Sequence, residues 1–239
     1  MNGPIMHPMG IGFSWWSPGT SKLRRLVNFD SPYYRPRECG SITHGPLQCR
    51  AVKFIRQFIS KPITTGAIAP SSSFLARAMV EGLDLSHAAA VLEYGPGTGV
   101  FTDYILRDLN PGAKFAAIEL NAHFAAAFRM RHPNAALFED SVENVRQICD
   151  SAGIESVDYI VSGLPWAVFP ESMQRRFLDE MMRVLNENGI FVTFAYVHGL
   201  VLPPAKKFAH LLDQYFTSVS RSSVVWLNVP PAFVYRCRR

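Results

Sequence analysis

Cysteine is scarce and scattered: Cys39, Cys49, Cys149 and Cys237 are the only four in 239 residues, and no two form a C-x-x-C pair. That spacing supports neither a zinc site nor a disulfide framework, and it reads as reduced, structural thiols of a cytosolic protein that needs no metal. Long apolar runs are lacking too. The longest candidate, residues 190–202, is interrupted by His198 and Gly199 and falls short of the roughly 18 residues a membrane span needs. The apolar residues between Met9 and Trp16 are broken by Gly10 and Gly12 and flanked by Pro8 and Pro18, so no secretory signal is predicted. Membrane contact, if made, is expected to be peripheral and on the cytoplasmic face. There is no internal repeat.

With 48% hydrophobic and 12% aromatic residues, the composition is globular. The net charge of +5 is uneven: residues 1–62 hold nine Lys or Arg against Asp30 and Glu38, a balance of +7, leaving −2 for the remainder. The positive quarter is expected to meet something anionic. Residues 1–45, rich in Pro, Gly, Ser and Arg, read as a disordered basic extension, and residues 46–239 as one folded domain. At its start, residues 47–60 show helical spacing of apolar residues opposite a basic face. Arg50, Lys53, Phe54, Arg56 and Phe58 are candidates for contact with an anionic membrane surface; a surface helix packed on the core fits the same pattern.

A second helix is expected to begin among Ser71, Ser72 and Ser73. Strands are then predicted at 90–94, 114–120, 135–139, 157–162 and 189–196, alternating with helices at 100–109, 121–131, 142–149 and 171–186. A further helix at 205–215 precedes two strands, 218–227 and 232–237. Alternation of this kind implies an α/β Rossmann-like fold: a seven-stranded, mostly parallel sheet with a terminal antiparallel hairpin and helices on both faces.

The turn after the first strand, Glu93-Tyr94-Gly95-Pro96-Gly97-Thr98-Gly99, narrows the ligand. A phosphate-binding P-loop needs Lys and then Ser or Thr after its last glycine, where Val100 and Phe101 stand. The dinucleotide fingerprint needs a third glycine where Val100 stands. S-adenosyl-L-methionine, with a cationic sulfonium and an α-ammonium and no phosphate, suits a carboxylate beside a glycine turn that a ligand can approach closely. Glu119 ends the next strand and suits a ribose diol, and Asp140-Ser141 follows the third strand, facing an adenine amino group. Each also has a plainer reading as a helix cap. Together they lie at successive strand ends, the edge where open α/β sheets bind ligands.

With these residues the chain resembles the class I S-adenosylmethionine-dependent methyltransferases. More narrowly, it resembles the bacterial phospholipid N-methyltransferases, related to rRNA adenine dimethyltransferases, through residues 66–79, 92–102, 162–170 and 224–235, most specifically Ser-Gly-Leu-Pro at 162–165 and Asn-Val-Pro-Pro-Ala at 228–232. The resemblance implies cofactor binding by Glu93, Gly95, Gly97, Thr98, Gly99, Glu119, Asp140 and Ser141. It also implies an acceptor pocket at Ser162, Gly163 and Leu164 with Tyr196 beyond, and an aminophospholipid substrate. Phosphatidylethanolamine, on the way to phosphatidylcholine, is expected first, with ornithine lipid or an rRNA adenine as alternatives. Nucleic acid is not expected, because Ser162 stands where the RNA enzymes carry an asparagine amide. Tyr196 reads equally as a packed strand residue, and His198 as a loop residue rather than a base.

Overall fold

The structure, a computed structural model, describes residues 71–201 and 203–239. The basic extension, helix 47–60 with Arg50, Lys53, Phe54, Arg56 and Phe58, and Cys39 and Cys49 therefore lie outside the described residues. No helix among those described is long and apolar enough to cross a membrane.

Helix α1 (Ser73–Val80) starts where Ser72 Oγ accepts from Leu75 N at 3.2 Å. Then follow β1 (Ala90–Tyr94), α2 (Val100–Asp108), β2 (Lys114–Ile118), α3 (Ala122–Arg131), β3 (Leu137–Phe138), α4 (Val145–Ser151), β4 (Val157–Ser162), α5 (Glu171–Met182), β5 (Leu185–Tyr196), α6 (Pro203–Tyr215), β6 (Ser218–Arg221) and β7 (Ala232–Arg238). The seven strands form one sheet in the order β3-β2-β1-β4-β5-β7-β6. The first five run parallel, while β7 lies antiparallel to both β5 and β6. This is the expected fold class.

The order reverses between β1 and β4, and such a switch point opens a crevice at the carboxyl ends of the strands. All five residues of β1 are buried, as a central strand covered on both faces requires. Alternate residues feed two cores. Leu92, Ile160 and Phe191 pack with α5 and α6 on one face, and Val91, Val161 and Val192 with α1 and α2 on the other. Cys149 and Cys237 are buried in the first core, where burial raises their thiols, Cys149 to about 11.

Element ends differ from the sequence pattern at several points: β5 already begins at Leu185, not residue 189, α6 begins at Pro203, and the helix predicted at 142–149 is a 3-10 turn, Val142–Asn144, followed by α4. Helix α5 stops at Met182, not Asn186, because Val184 O is taken by Val157 N of β4 at 2.8 Å and Leu185 already pairs with Val157. Strands β2 and β3 end at Ile118 and Phe138, leaving Glu119 and Asp140 just beyond them. The strand predicted at 218–227 ends at Arg221; past it, only Val225 makes an isolated bridge, to Ala232.

Candidate functional site

The glycine turn joins β1 to α2 with Gly95, Gly97 and Gly99 at φ 64°, 58° and 82°, the left-handed region that glycine enters without a Cβ penalty. Each glycine faces something different. A Cβ on Gly95 would stand 2.7 Å from Leu164 Cδ2, and one on Gly99 would stand 2.6 Å from the His132 ring; one on Gly97 would meet nothing within 4 Å. Thus Gly95 and Gly99 are pressed against the protein, and Gly97 faces open space. Thr98 O accepts from Arg131 and Gly99 O lies 3.1 Å from His132 Nε2, so α3 holds the far side of the turn.

Glu93 is fully buried at the end of β1. Thr102 Oγ1, on the first turn of α2, donates to its Oε2 at 2.6 Å, while Oε1 has no donor. Burial pushes the carboxyl up to about 8, against the Thr102 hydrogen bond, with Asp103 and Glu119 adding like charge. A buried acceptor without a partner is unfavourable unless a ligand supplies a donor; a cationic group would also restore the ionised form. Glu119, 4% exposed, accepts from Gly97 N at 3.2 Å and from Asn121 N at 2.9 Å. Its carboxyl is raised by burial, opposed by those N–H groups. The acid thereby ties the end of β2 to the glycine that faces open space. These features fit S-adenosylmethionine: two sheltered carboxylates beside a turn that is open at Gly97.

Asp140 and Ser141 follow β3. Asp140 Oδ1 accepts from Ser141 N at 2.7 Å and Asn144 Nδ2 at 2.8 Å, and Ser141 Oγ accepts from Glu143 N at 3.3 Å. Ser141 therefore carries the capping role that its position allowed. Thr102, Asn121 and Asn144, which fix the three acids, were not singled out from sequence. Asn121 was accessible there as a helix cap after an acid, and its Oδ1 does accept from His123 N and Phe124 N. Thr102 and Asn144 carried no comparable signal.

The 162–165 segment meets the turn backbone to backbone. Gly163 N donates to Tyr94 O at 2.8 Å, and a Cβ on Gly163 would stand 2.5 Å from Gly95 O. The Ser162 side chain points the other way, into the first core, where Oγ accepts from Trp166 Nε1 at 2.9 Å and Leu164 N at 3.3 Å. Trp166 is 2% exposed and stacks on Phe208, so its indole is core. Ser162 O accepts from Thr193 Oγ1 and Leu164 O from Trp166 N. Among the described residues, no group donates to the Gly163 carbonyl, the third of this trio. Tyr196 lies on β5 three residues past the Ser162–Thr193 pairing, half-buried in the α1/α2 core, edge-on to Phe194 and stacked on the exposed His198. Burial raises its phenol.

Two clefts lie elsewhere. One of about 490 Å³ lies between Asp84, His87, Asp158 and Asn186 at the opposite end of the strands, and another of about 570 Å³ lies between Leu109, Phe115, His132 and Asn134. Neither is lined by Glu93, Glu119, Gly163 or Tyr196. The chemistry of the switch point, rather than cavity size, singles out the site. Among the described residues no three His, Cys, Asp or Glu side chains are grouped to hold a metal ion.

Residues 91–189 match the family described as methyltransferase domain. An ornithine lipid N-methyltransferase of Singulisphaera acidiphila is 31% identical over 189 residues, covering 77% of this chain and 94% of that protein. Among solved structures, the O-methyltransferase TomG from Streptomyces achromogenes, in complex with SAM, aligns over 82% of this chain and 91% of its own, at 14% identity and a TM-score of 0.55. Spermidine synthase from Thermotoga maritima aligns over 70% and 59%, at 12% identity and 0.53. Because a synthase shares the architecture, the fold alone leaves the reaction open; the matched domain and the identity across nearly all of the Singulisphaera protein do not. On that domain and that relative, the chain belongs to the class I S-adenosylmethionine-dependent methyltransferases.

Proposed function

We propose that the protein methylates the primary amine of a membrane aminolipid while peripherally bound on the cytoplasmic face. The observation that carries this reading is the relative named ornithine lipid N-methyltransferase, matched over 94% of its length. Ornithine lipid is accordingly the first head group to test. Phosphatidylethanolamine, which offers a similar primary amine, is the second, on the resemblance in residues 92–102, 162–165 and 228–232.

When bound, the cofactor supplies an electrophilic methyl carbon, and transfer needs a neutral nitrogen lone pair held in line with it. Glu93 and Glu119 bind the cofactor's cationic and hydroxyl groups, and the Gly97 backbone admits it closely. Asp140 lies at the next strand end for the adenine side. The Gly163 carbonyl accepts from the incoming amine and fixes its direction. Tyr196 forms the neighbouring wall and screens the amine from water, which favours loss of the ammonium proton.

Incubation with methyl-labelled cofactor and separate pools of ornithine lipid, phosphatidylethanolamine and rRNA tests the reading. Label should enter a lipid and remain on nitrogen after acyl-chain hydrolysis. Label concentrated in rRNA would refute it, and the ratio between the two lipids identifies the head group.

A further inference from the structure

We infer that the connection between β6 and β7 is a membrane-docking loop, built to present Trp226, Leu227 and Val229 to an anionic bilayer beside the mouth of the site. The inference deepens the aminolipid reading and rests on it for the choice of occupant.

The loop is organised inside out. Trp226, Leu227 and Val229 are 70%, 65% and 79% exposed, whereas the polar residue among them, Asn228, is 3% exposed. Asn228 Oδ1 accepts from Ser72 N at 3.0 Å and its Nδ2 donates to Pro230 O at 2.7 Å. One buried amide thus pins the loop to the N-cap of α1 and turns the three apolar side chains outward. A loop held only by hydrophobic contact would do the reverse, and clustered large apolar side chains facing water mark a surface for another apolar phase.

Its position follows from topology. Ala232 pairs with Tyr196, and Val197 N donates to Pro231 O at 2.9 Å, so the loop emerges at the edge where β5 ends. β4 ends at this same edge with Ser162, beside Gly163. Two more exposed apolar residues lie here: Phe74 on the first turn of α1, 53% exposed, and Val201 between β5 and α6, 75% exposed. Helix α6 also begins here, with Lys206 and Lys207 exposed near its start. Neither lysine has a carboxylate within ion-pair distance among the described residues. A tryptophan with aliphatic neighbours and unpaired lysines is the composition of a bilayer interface: the indole sits at head-group depth and the cations meet anionic phosphate. Such a surface would bring a head-group amine to the edge that carries Gly163 and Tyr196 without the lipid leaving the membrane.

The test uses the full-length protein and vesicles of phosphatidylethanolamine with phosphatidylglycerol. Trp226 emission is isolated as the difference between wild type and Trp226→Phe. It should shift to the blue on vesicles and be quenched by lipids brominated near the head group, while in buffer it stays open to iodide. Leu227→Ser/Val229→Ser should co-float about tenfold less and Lys206→Gln/Lys207→Gln less on anionic vesicles alone. Both variants should keep wild-type cofactor affinity and wild-type turnover of a monomeric short-chain aminolipid. Iodide protection without vesicles would overturn the inference by showing the loop covered by another segment of the chain. A change in oligomeric state in the Ser variant would overturn it in favour of a second copy, and absence of bromolipid quenching in a protein that still floats would move the membrane contact elsewhere. Quenching without methylation of either phosphatidylethanolamine or ornithine lipid added to the vesicles would leave the docking loop standing and remove the substrate reading.

Discussion

At Glu93 the chain maintains a carboxyl group in an environment that opposes its charge. Burial raises it from 4.5 to about 8, so between those values the folded chain keeps a proton that the unfolded chain has lost. The stability this adds is complete below the lower value and is lost as pH rises through the higher one, at up to ~1.4 kcal/mol per pH unit. Glu93→Gln has no such proton to lose. Its ligand-free melting temperature should therefore gain on wild type across the range from about pH 5 to 8, read by scanning calorimetry at several pH values; parallel curves would mean that Glu93 is ionised in the free protein. A cation bound beside Oε1 favours the charged carboxylate, so cofactor binding near pH 7 should release close to one proton. Calorimetry in buffers of different ionisation enthalpy measures that release directly. Glu93→Ala and Glu119→Ala should each weaken cofactor binding by roughly 10- to 150-fold, the loss expected for a charge-assisted hydrogen bond.

Between elements, the site depends on how closely the ends of β1 and β4 approach. A Cβ at position 163 collides with the Gly95 carbonyl at 2.5 Å, which is backbone and has no flexible end to yield, whereas one at position 97 meets nothing. Gly163→Ala should therefore separate the two turns, lowering both thermal stability and cofactor affinity. Gly97→Ala should cost about 1 kcal/mol in stability for its left-handed backbone, yet still lose affinity because the methyl group stands where a ligand approaches. A Gly97→Ala protein that binds cofactor normally would remove that glycine from the site. Trp166 sets the other side of the 162–165 segment. Trp166→Ala empties a cluster shared with Phe177, Phe191 and Phe208 and should cost about 3–5 kcal/mol in chemical denaturation. Burial places its indole in the core, because Ser162 Oγ and the Phe208 ring capture it from behind the strand.

Across the whole molecule, the parts legible in sequence are those set by local pattern: apolar strands, intervening helices, a glycine turn, and an acid at the end of each of the first three strands. What was not legible depends on partners distant in sequence. The end of β6 at Arg221 is an example, since Val224, Val225, Trp226 and Leu227 continue an apolar run that reads as strand, whereas the structure holds this stretch as a loop in which Asn228 reaches back 156 residues to Ser72. Charge is likewise a property of the whole chain. The basic excess lies in residues 1–62, while residues 63–239 sum to −2, so residues 63–239 have no net charge attraction of their own to an anionic membrane. If the segment with Arg50, Lys53 and Arg56 supplies the long-range pull and the 226–229 loop the apolar insertion, the two terms respond differently to salt. Screening shortens the reach of the first to about 8 Å at physiological ionic strength and leaves the second intact. Arg50→Glu/Lys53→Glu/Arg56→Glu should therefore bind anionic vesicles weakly at all salt concentrations, with a flattened salt dependence. Leu227→Ser/Val229→Ser should keep the wild-type slope but at a lower affinity throughout. Flotation across a salt series separates these outcomes, and equal slopes for wild type and the charge-reversed protein would place the electrostatic contact outside residues 47–60.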